Sequence, residues 1–195
     1  MVSQARGLRP AVFLDRDGVI VLPEFRDQRS YAPRRLEDFR LYPDAAGSLQ
    51  RLKRAGFLLA VVTNQPDVGN GLTLRSEVEA MHEIMTRELP VDAVRACFHG
   101  QGDNCDCRKP KPGMILEMAR ELGVDLEKSF MVGDRKSDVE AGRAAGCATV
   151  FIDLGYAEPA LAAPDFTVHS IAEAADVIIE NALERVPIGV DRDAL

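Results

Sequence analysis

The sequence lacks several features that would place it in a specialised class. No apolar run approaches the roughly 20 residues that a membrane-spanning helix needs, and no apolar stretch follows the charge of the first seven residues. We therefore expect no membrane association and no signal peptide. Low-complexity tracts and convincing internal repeats are absent as well, which excludes a fibrous protein. Positive charge is scarce, because 24 Lys and Arg against 31 Asp and Glu give a net charge of −7. We expect no nucleic-acid partner, since phosphate backbones are bound by clustered cations.

Cysteine is also sparse, with four in 195 residues. A composition of 46% hydrophobic and 28% charged residues is ordinary for a globular protein, and a chain of this length can bury a core without disulfides. Without an export signal we expect the reducing cytoplasm, where thiols are more often metal ligands or buried bystanders. We predict a single domain over residues 1–195, with a core of about 11–185 and flexible N-terminal and C-terminal ends. A monomer is expected, because no heptad run indicates a partner helix.

Short apolar runs alternate with longer amphipathic stretches along the chain. The runs predict strands at 11–14, 58–63, 93–98, 130–132 and 148–153. The amphipathic stretches predict helices at 44–55, 76–89, 113–122, 138–145 and 171–183. This alternation is typical of an α/β fold with a Rossmann-like, doubly wound, mainly parallel sheet flanked by helices. The polar segment 22–42 lacks a clean period and is predicted to be an irregular or hairpin insertion.

Two aspartates lie where the first predicted strand meets a glycine turn. If the strand continues to Asp17, the carboxylates of Asp15 and Asp17 point to the same side of the sheet. If the chain bends at Gly18 instead, Asp15 faces a ligand while Asp17 swings toward a leaving group. A plain turn is the alternative interpretation, because Asp and Gly are common turn residues.

The next strand ends carry further polar side chains. Thr63 and Asn64 offer a hydroxyl and an amide that can hydrogen-bond an anion, and Asp134 is followed one helical turn later by Asp138. Because several carboxylates at one sheet edge repel each other, the pattern predicts a hard, oxygen-ligated cation such as Mg²⁺. Opposite this cluster, the basic stretch Arg108–Pro112 indicates a phosphate-binding loop rather than a solvated basic turn.

Three cysteines and a histidine occur as C-x-H followed by C-x-C. The set is Cys97, His99, Cys105 and Cys107. Three thiolates and an imidazole complete a tetrahedral Zn²⁺ sphere and leave no position for water, so the predicted site is structural. A disulfide pair and chance clustering are the alternatives. Cys147 is left over as a buried bystander, and His82 and His169 show no obvious chemistry.

Taken in order, these parts resemble the four motifs of the haloacid-dehalogenase-like phosphohydrolases over about residues 12–178. The matching positions are Asp15-Arg16-Asp17-Gly18-Val19, Thr63, Lys109, and Gly133-Asp134 with Asp138. The resemblance implies that Asp15 is a nucleophile forming an aspartyl-phosphate and that Asp17 is the general acid and base. It also implies that Thr63 and Lys109 stabilise the charge that builds up in transfer.

The same resemblance implies a metal-ion requirement. Mg²⁺ would be held by Asp15, the Asp17 backbone carbonyl and Asp134. Asp138 would orient these ligands without binding the metal itself.

The zinc loop narrows the resemblance to the histidinol-phosphatase-like branch, which lacks a large cap domain. That branch contains heptose 1,7-bisphosphate phosphatases and histidinol-phosphate phosphatases. A phosphorylated small molecule of carbohydrate metabolism, foremost a heptose 1,7-bisphosphate of lipopolysaccharide or heptose biosynthesis, is therefore the expected substrate. The residues expected to contact it are Asn64, Gln65, Arg108 and Arg135.

Two segments depart from the heptose pattern. The chain has Pro66–Gly71 where the heptose enzymes usually carry a Ser-Gly loop with a basic residue, and the gap from His99 to Cys105 is short, as in the histidinol-phosphate branch. Histidinol phosphate is therefore the alternative substrate, and a non-catalytic zinc-stabilised binding module is the second alternative. Four arginines of the insertion either reach a second phosphate or form a solvated face: Arg26, Arg29, Arg34 and Arg35.

Overall fold

The computed structural model describes residues 7–26, 29–155 and 163–184. Its strands are β1 (Ala11–Leu14), β2 (Glu24–Arg26), β3 (Arg29–Tyr31), β4 (Leu58–Asn64), β5 (Ala93–Cys97), β6 (Phe130–Gly133), β7 (Ala148–Ile152) and β8 (Phe166–Val168). Its α-helices are α1 (Ala45–Arg54), α2 (Pro66–Gly69), α3 (Arg75–Glu88), α4 (Gly113–Leu122), α5 (Lys136–Ala145) and α6 (Ile171–Glu184). Single 3₁₀ turns occupy Leu36–Asp38 and Leu126–Lys128. Most of the predicted flexible ends, namely residues 1–6 and 185–195, lie outside the described residues.

Six strands form one parallel sheet in the order β5-β4-β1-β6-β7-β8. The strands β1, β4 and β6 are buried on both faces, because helices cover the sheet on either side. Strand β1 is central, and its Phe13 is in register with Ala60 of β4 and Met131 of β6. Connections run outward from β1 in both directions, so the carboxyl ends of the central strands open onto a topological switch point.

Successive side chains of β1 point to opposite faces and enter two separate cores. Val12 and Leu14 lie in the core that α1, α3 and α6 cover, whereas Ala11 and Phe13 lie in the core covered by α4 and α5. The predicted doubly wound parallel sheet is therefore confirmed. None of the helices within the described ranges is long and apolar enough to cross a bilayer.

The segment after β1 contains the antiparallel β2–β3 hairpin, so the hairpin alternative is confirmed. The chain following it docks on α2 and on the loop that leads into α3. Thr73 Oγ1 donates to the Arg34 carbonyl at 2.6 Å, and Arg34 Nε donates to Asp67 at 2.7 Å. Across the described residues this segment is the largest insertion at the carboxyl edge of the sheet, and no large cap covers it. The side chains of Arg26 and Arg29 lie outside what the structure describes.

Two elements were not expected from the sequence, namely β8 and the single-turn helix α2. Both are too short to carry a period of their own, and β8 is defined by its pairing with β7. Helix α5 begins at Lys136, two residues before the predicted start, because the Asp138 carboxylate accepts the Arg135 backbone N–H and caps the helix.

Candidate active site

A cavity of about 590 Å³ opens at the carboxyl edge of the sheet, beside β1, β4 and β6. Nearly every residue that the sequence proposed for catalysis, substrate or Mg²⁺ lines it. The list is Asp15, Asp17, Asn64, Gln65, Arg108, Lys109, Asp134, Arg135 and Asp138. Thr63 is buried next to Gln65 and not among the lining residues. The tertiary structure thus brings together side chains from four separate stretches of the chain.

The chain bends sharply after β1, which separates the two aspartates. The Arg16 carbonyl accepts from the backbone N–H groups of Ile20 and Val21 at 3.0 and 2.9 Å, which closes a tight turn. Gly18 is in the left-handed region at φ +89°, and a Cβ at this position would overlap the Asp134 carboxylate. The alternative in which the chain bends is therefore confirmed, and Asp15 and Asp17 face different groups.

Three buried carboxylates form the floor of the cavity. Oxygens of Asp15, Asp134 and Asp138 all lie within 4.8 Å of one another. Neither carboxylate oxygen of Asp134 has a hydrogen-bond partner, although Arg135 Nε lies 3.7 Å away. Burial, followed by the charges of Asp15 and Asp138, raises the pKa of Asp134 well above its usual range. Buried, mutually repelling oxygen donors of this kind fit a hard cation such as Mg²⁺.

Asp138 is held from two sides within this cluster. Its Oδ1 is 2.7 Å from Lys109 Nζ, and its Oδ2 accepts the Arg135 backbone N–H at 3.0 Å. Burial raises the pKa of Asp138 to about 6, against the lowering effect of Lys109. With both oxygens engaged, this side chain is arranged to orient its neighbours.

Lys109 is buried and bridges two of the carboxylates. Its Nζ lies 2.8 Å from Asp15 Oδ1 and 2.7 Å from Asp138 Oδ1, and it donates to the Val62 carbonyl at 2.7 Å. Burial alone would lower the pKa of Lys109, but Asp138 and Asp15 outweigh it, so the net shift is upward. Its main chain is held by Asn64, whose Oδ1 accepts the Lys109 N–H and whose Nδ2 donates to the Lys109 carbonyl. The Asn64 amide therefore serves to fix the lysine.

The Asp17 carboxylate lies away from the cluster, between Arg16 and Gln65. Arg16 Nε donates to it at 3.0 and 3.2 Å, and Gln65 Nε2 donates to Oδ2 at 2.7 Å. Gln65 also donates to Thr63 Oγ1 at 2.9 Å, so the buried threonine helps to orient the amide. Burial raises the pKa of Asp17, while Arg16 opposes the shift. The sequence gave no role to Arg16 beyond its place in the motif.

Two further cations lie at the mouth of the cavity. Arg135 donates to the carbonyl and the hydroxyl of Ser30 at 2.8 and 2.5 Å, which joins the β2–β3 hairpin to the start of α5. Arg108 lies on the opposite side, with Nη1 3.4 Å from the His99 carbonyl. The contact between Ser30 and Arg135 was not expected from the sequence, because the polar segment that contains Ser30 has no periodic pattern.

The predicted zinc ligands converge in a second cluster behind the basic loop. Cys97 Sγ lies 3.7 Å from Cys105 Sγ and 3.2 Å from Cys107 Sγ, and His99 Nδ1 lies 3.5 and 3.2 Å from Cys97 Sγ and Cys107 Sγ. All four cysteines are free thiols, and these separations exceed the roughly 2.05 Å of a disulfide. They fit a tetrahedral ion with Zn–S bonds of about 2.3 Å. Burial raises the pKa of Cys107 to about 12.

A parallel sheet whose central strand leads into two aspartates, with a lysine bridging the first of them, Asp15, to Asp138 on the helix after β6, defines a phosphohydrolase of the haloacid-dehalogenase-like fold. Comparison with known proteins narrows the family to which the chain belongs. Residues 106–174 match the HAD-hydrolase-like family model. The chain is 38% identical over 162 residues to D-glycero-β-D-manno-heptose-1,7-bisphosphate 7-phosphatase of Pseudomonas aeruginosa, covering 80% of this chain and 88% of that protein. It is 42% identical over 150 residues to the phosphatase of the same name from Rhodopseudomonas palustris, covering 71% and 80%.

A solved structure agrees with these relatives. The D,D-heptose 1,7-bisphosphate phosphatase of B. bronchiseptica, complexed with magnesium and phosphate, superposes with a TM-score of 0.76 at 29% identity, covering 89% of this chain and 99% of that one. The chain therefore belongs to the haloacid-dehalogenase-like phosphatases, in the group that contains the heptose bisphosphate phosphatases.

Proposed function

We propose that this chain is a Mg²⁺-dependent phosphomonoester hydrolase that removes the 7-phosphate of D-glycero-D-manno-heptose 1,7-bisphosphate through a phosphorylated Asp15. The observation that carries the proposal is the buried carboxylate cluster, in which Lys109 bridges Asp15 and Asp138 while both oxygens of Asp134 lack hydrogen-bond partners. A purely structural role would not leave a buried carboxylate without a partner beside two others, because such burial costs stability.

The first half of the reaction makes the phosphorylated enzyme. An oxygen of Asp15 attacks phosphorus in line, and the P–O bond to the sugar breaks. Asp17 gives its proton to the departing alkoxide, which is a poor leaving group without it. Lys109, fixed by Asn64, faces the attacking carboxylate at 2.8 Å and stabilises the charge that develops on the phosphoryl oxygens.

The second half returns Asp15 to its starting state. Asp17, now ionised, takes a proton from water as the water attacks phosphorus, and the bond to Asp15 breaks to release phosphate. Asp15, the Asp17 backbone carbonyl and Asp134 would hold Mg²⁺, which would neutralise charge on the phosphoryl oxygens. Asp138 holds Lys109 and the start of α5 in place during both steps.

The substrate assignment draws on the named relatives and on the cations at the cavity mouth. Arg108 and Arg135 line the cavity from opposite sides, at positions suited to an anionic substrate. Histidinol phosphate is the second candidate substrate, because it carries a cationic amino group. The Asp67 carboxylate lines the cavity and would favour such a group. Arg34 Nε lies 2.7 Å from Asp67 Oδ2 and neutralises part of the carboxylate charge. This reduces the repulsion of an anionic substrate and therefore favours the heptose bisphosphate.

The second metal of the proposal is structural. Zn²⁺ held by three thiolates and an imidazole has no position for water, so it would only fix the loop. Because Cys107 directly precedes Arg108 and Lys109, holding this loop places both cations of the site.

A substrate panel tests the proposal. Phosphate release with Mg²⁺ is measured on heptose 1,7-bisphosphate, histidinol phosphate and a hexose bisphosphate, and we expect kcat/KM at least about tenfold higher for the heptose. Comparable values on all three would contradict the substrate, and no release from any would favour a non-catalytic zinc-stabilised module. Asp15→Asn is expected to fold with no steady-state turnover, whereas Asp38→Asn, at an exposed position, is expected to keep full activity.

A further inference from the structure

A buried arginine connects the proposed general acid to a histidine on α3. We infer that His82 is a positioning residue: by accepting a hydrogen bond from Arg16, it fixes the guanidinium that orients the Asp17 carboxylate. This inference rests on the proposed function, since it assigns a residue to the proton-transfer step of that reaction. His82 lies in no motif, and the sequence pattern gave it no role.

Arg16 is fully buried, with 0% of its surface exposed. A buried cation is tolerated only when it is paired and its N–H groups find acceptors. One edge of the guanidinium faces Asp17, through Nε at 3.0 and 3.2 Å and Nη2 at 3.0 Å. The other edge faces α3, with Nη1 3.2 Å from His82 Nε2 and 4.0 Å from the Met81 sulfur. The guanidinium is thus held between the general acid and the histidine.

The direction of the hydrogen bond follows from the chemistry of the pair. An arginine side chain keeps all its protons in proteins, so Nη1 is the donor and His82 Nε2 is the acceptor. The imidazole must then be neutral and carry its proton on Nδ1. Burial, reinforced by the charge of Arg16, lowers the pKa of His82 to about 3, which agrees with this assignment.

The histidine matters most when Asp17 moves. To protonate the leaving group, the Asp17 carboxyl has to give up at least part of its contact with Arg16. Among the contacts that the structure describes for the Arg16 side chain, His82 and the Met81 sulfur then remain. Of the two, the imidazole is the stronger acceptor. His82 therefore keeps Arg16 in place while Asp17 is away and returns the carboxylate to a fixed position.

The test uses substrates that differ in their need for a general acid. A sugar phosphate or other alkyl phosphate needs a proton on the leaving oxygen, whereas 4-nitrophenyl phosphate releases a stabilised anion. We expect His82→Leu to lower kcat/KM about tenfold on the alkyl phosphate, a fraction of the 10²–10⁴ that general acid catalysis supplies. On 4-nitrophenyl phosphate we expect a change of less than about twofold, since general acid catalysis adds little there.

Conservative replacement separates positioning from packing. His82→Gln supplies an amide oxygen that can accept from Arg16, and it is expected to restore kcat/KM on the alkyl phosphate to within about threefold of the wild type. Met85→Leu, at a buried position one turn further along α3, is the matched control and is expected to leave both substrates unaffected. If His82→Leu does not fold, His82→Asn, whose amide is one bond shorter, takes its place against His82→Gln.

Three results would overturn the inference: equal losses on both substrates, no loss on either, or a glutamine variant as impaired as the leucine variant. Failure of the proposed phosphatase activity is distinguishable, because the wild type would then hydrolyse neither substrate, and failure of the heptose assignment alone would leave this comparison of two substrates intact. A readout independent of turnover is the ¹⁵N NMR spectrum of the His82 imidazole. We expect a neutral ring protonated on Nδ1 at pH 7, and a proton on Nε2 would exclude the hydrogen bond to Arg16.

Discussion

Asp134→Asn is expected to stabilise the Mg²⁺-free protein while abolishing its response to Mg²⁺. The wild-type carboxylate is 1% exposed and neither oxygen has a hydrogen-bond partner. Asparagine has nearly the same shape, removes the charge, and can donate to the neighbouring carboxylates. The variant therefore relieves repulsion and at the same time removes a proposed metal ligand.

The magnitude follows from the geometry. A pair of like charges 4.8 Å apart repels by about 3 kcal/mol at an effective dielectric constant of about 20, and Asp134 has two such neighbours, Asp15 and Asp138. Arg135, 3.7 Å away and one-third exposed, and Lys109 offset most of this. A net gain of about 2 kcal/mol corresponds to a rise of roughly 4–8 °C in Tm for a chain of this size.

The gain depends on pH with a defined sign. The folded-state pKa of Asp134 lies above its unfolded value, so the folded protein binds this proton more tightly than the unfolded chain. The destabilisation caused by the ionised Asp134 carboxylate is therefore absent below the unfolded-state pKa and grows as the pH rises through the folded-state pKa. We expect the Tm difference between Asp134→Asn and the wild type to be largest at pH 8 and to vanish near pH 4, where the unfolded carboxyl is itself about half protonated.

Thermal unfolding in Mg²⁺-free buffer and in millimolar Mg²⁺ is the assay, without a chelator that would also remove zinc. The wild type is expected to gain Tm with Mg²⁺ and the variant to gain none. Asp38→Asn, which makes the same charge change on the surface, is the control and is expected to shift Tm little under either condition. A lower Tm for Asp134→Asn without Mg²⁺ at pH 8, or an undiminished Mg²⁺ response, would refute the reasoning.

Two further predictions concern the second metal and the turn after β1. Metal analysis of the purified protein is expected to give about one zinc per chain. The zinc is expected to be lost in Cys105→Ser and kept in the control Cys147→Ser, whose thiol lies in the core. Full zinc content in Cys105→Ser would contradict the ligand set. Gly18→Ala is expected to abolish Mg²⁺-dependent turnover, because its Cβ would overlap the Asp134 carboxylate. The control is Gly146→Ala, at a similar φ of +87° but with open space around the Cβ. We expect it to lower the free energy of unfolding by only about 1–2 kcal/mol and to keep kcat. Equal activity of the two glycine variants, measured as phosphate release, would show that the contact is unimportant.

Most of the fold could be predicted from the sequence because its signals are local. Strands such as β1 and β4 are continuous apolar runs, since both their faces are buried, and helices end at glycines such as Gly123 and Gly146 in the left-handed region. The short elements β8 and α2 were missed, because three or four residues do not establish a period. Their conformation depends on neighbours that local propensity does not specify.

The sequence by itself predicted which residues lie together at the proposed site. Aspartates placed directly after apolar strands must reach the carboxyl edge of a parallel sheet, and four closely paired soft ligands predict a metal cluster wherever the loop lies. The positions of Asp15, Asp134 and the four proposed zinc ligands were therefore predictable from local order alone, and the structure brings the ligand atoms of each cluster within 4.8 Å of one another.

Only the tertiary structure decided how these residues are connected. Lys109 bridges Asp15 and Asp138, Asn64 holds the lysine main chain across 45 positions, and Arg16 meets His82 across 66. Such contacts depend on the order of strands around β1 and on the packing of α3 against the sheet, which no local pattern encodes. The physical reason is that a buried charge takes whatever partner the packed fold places beside it.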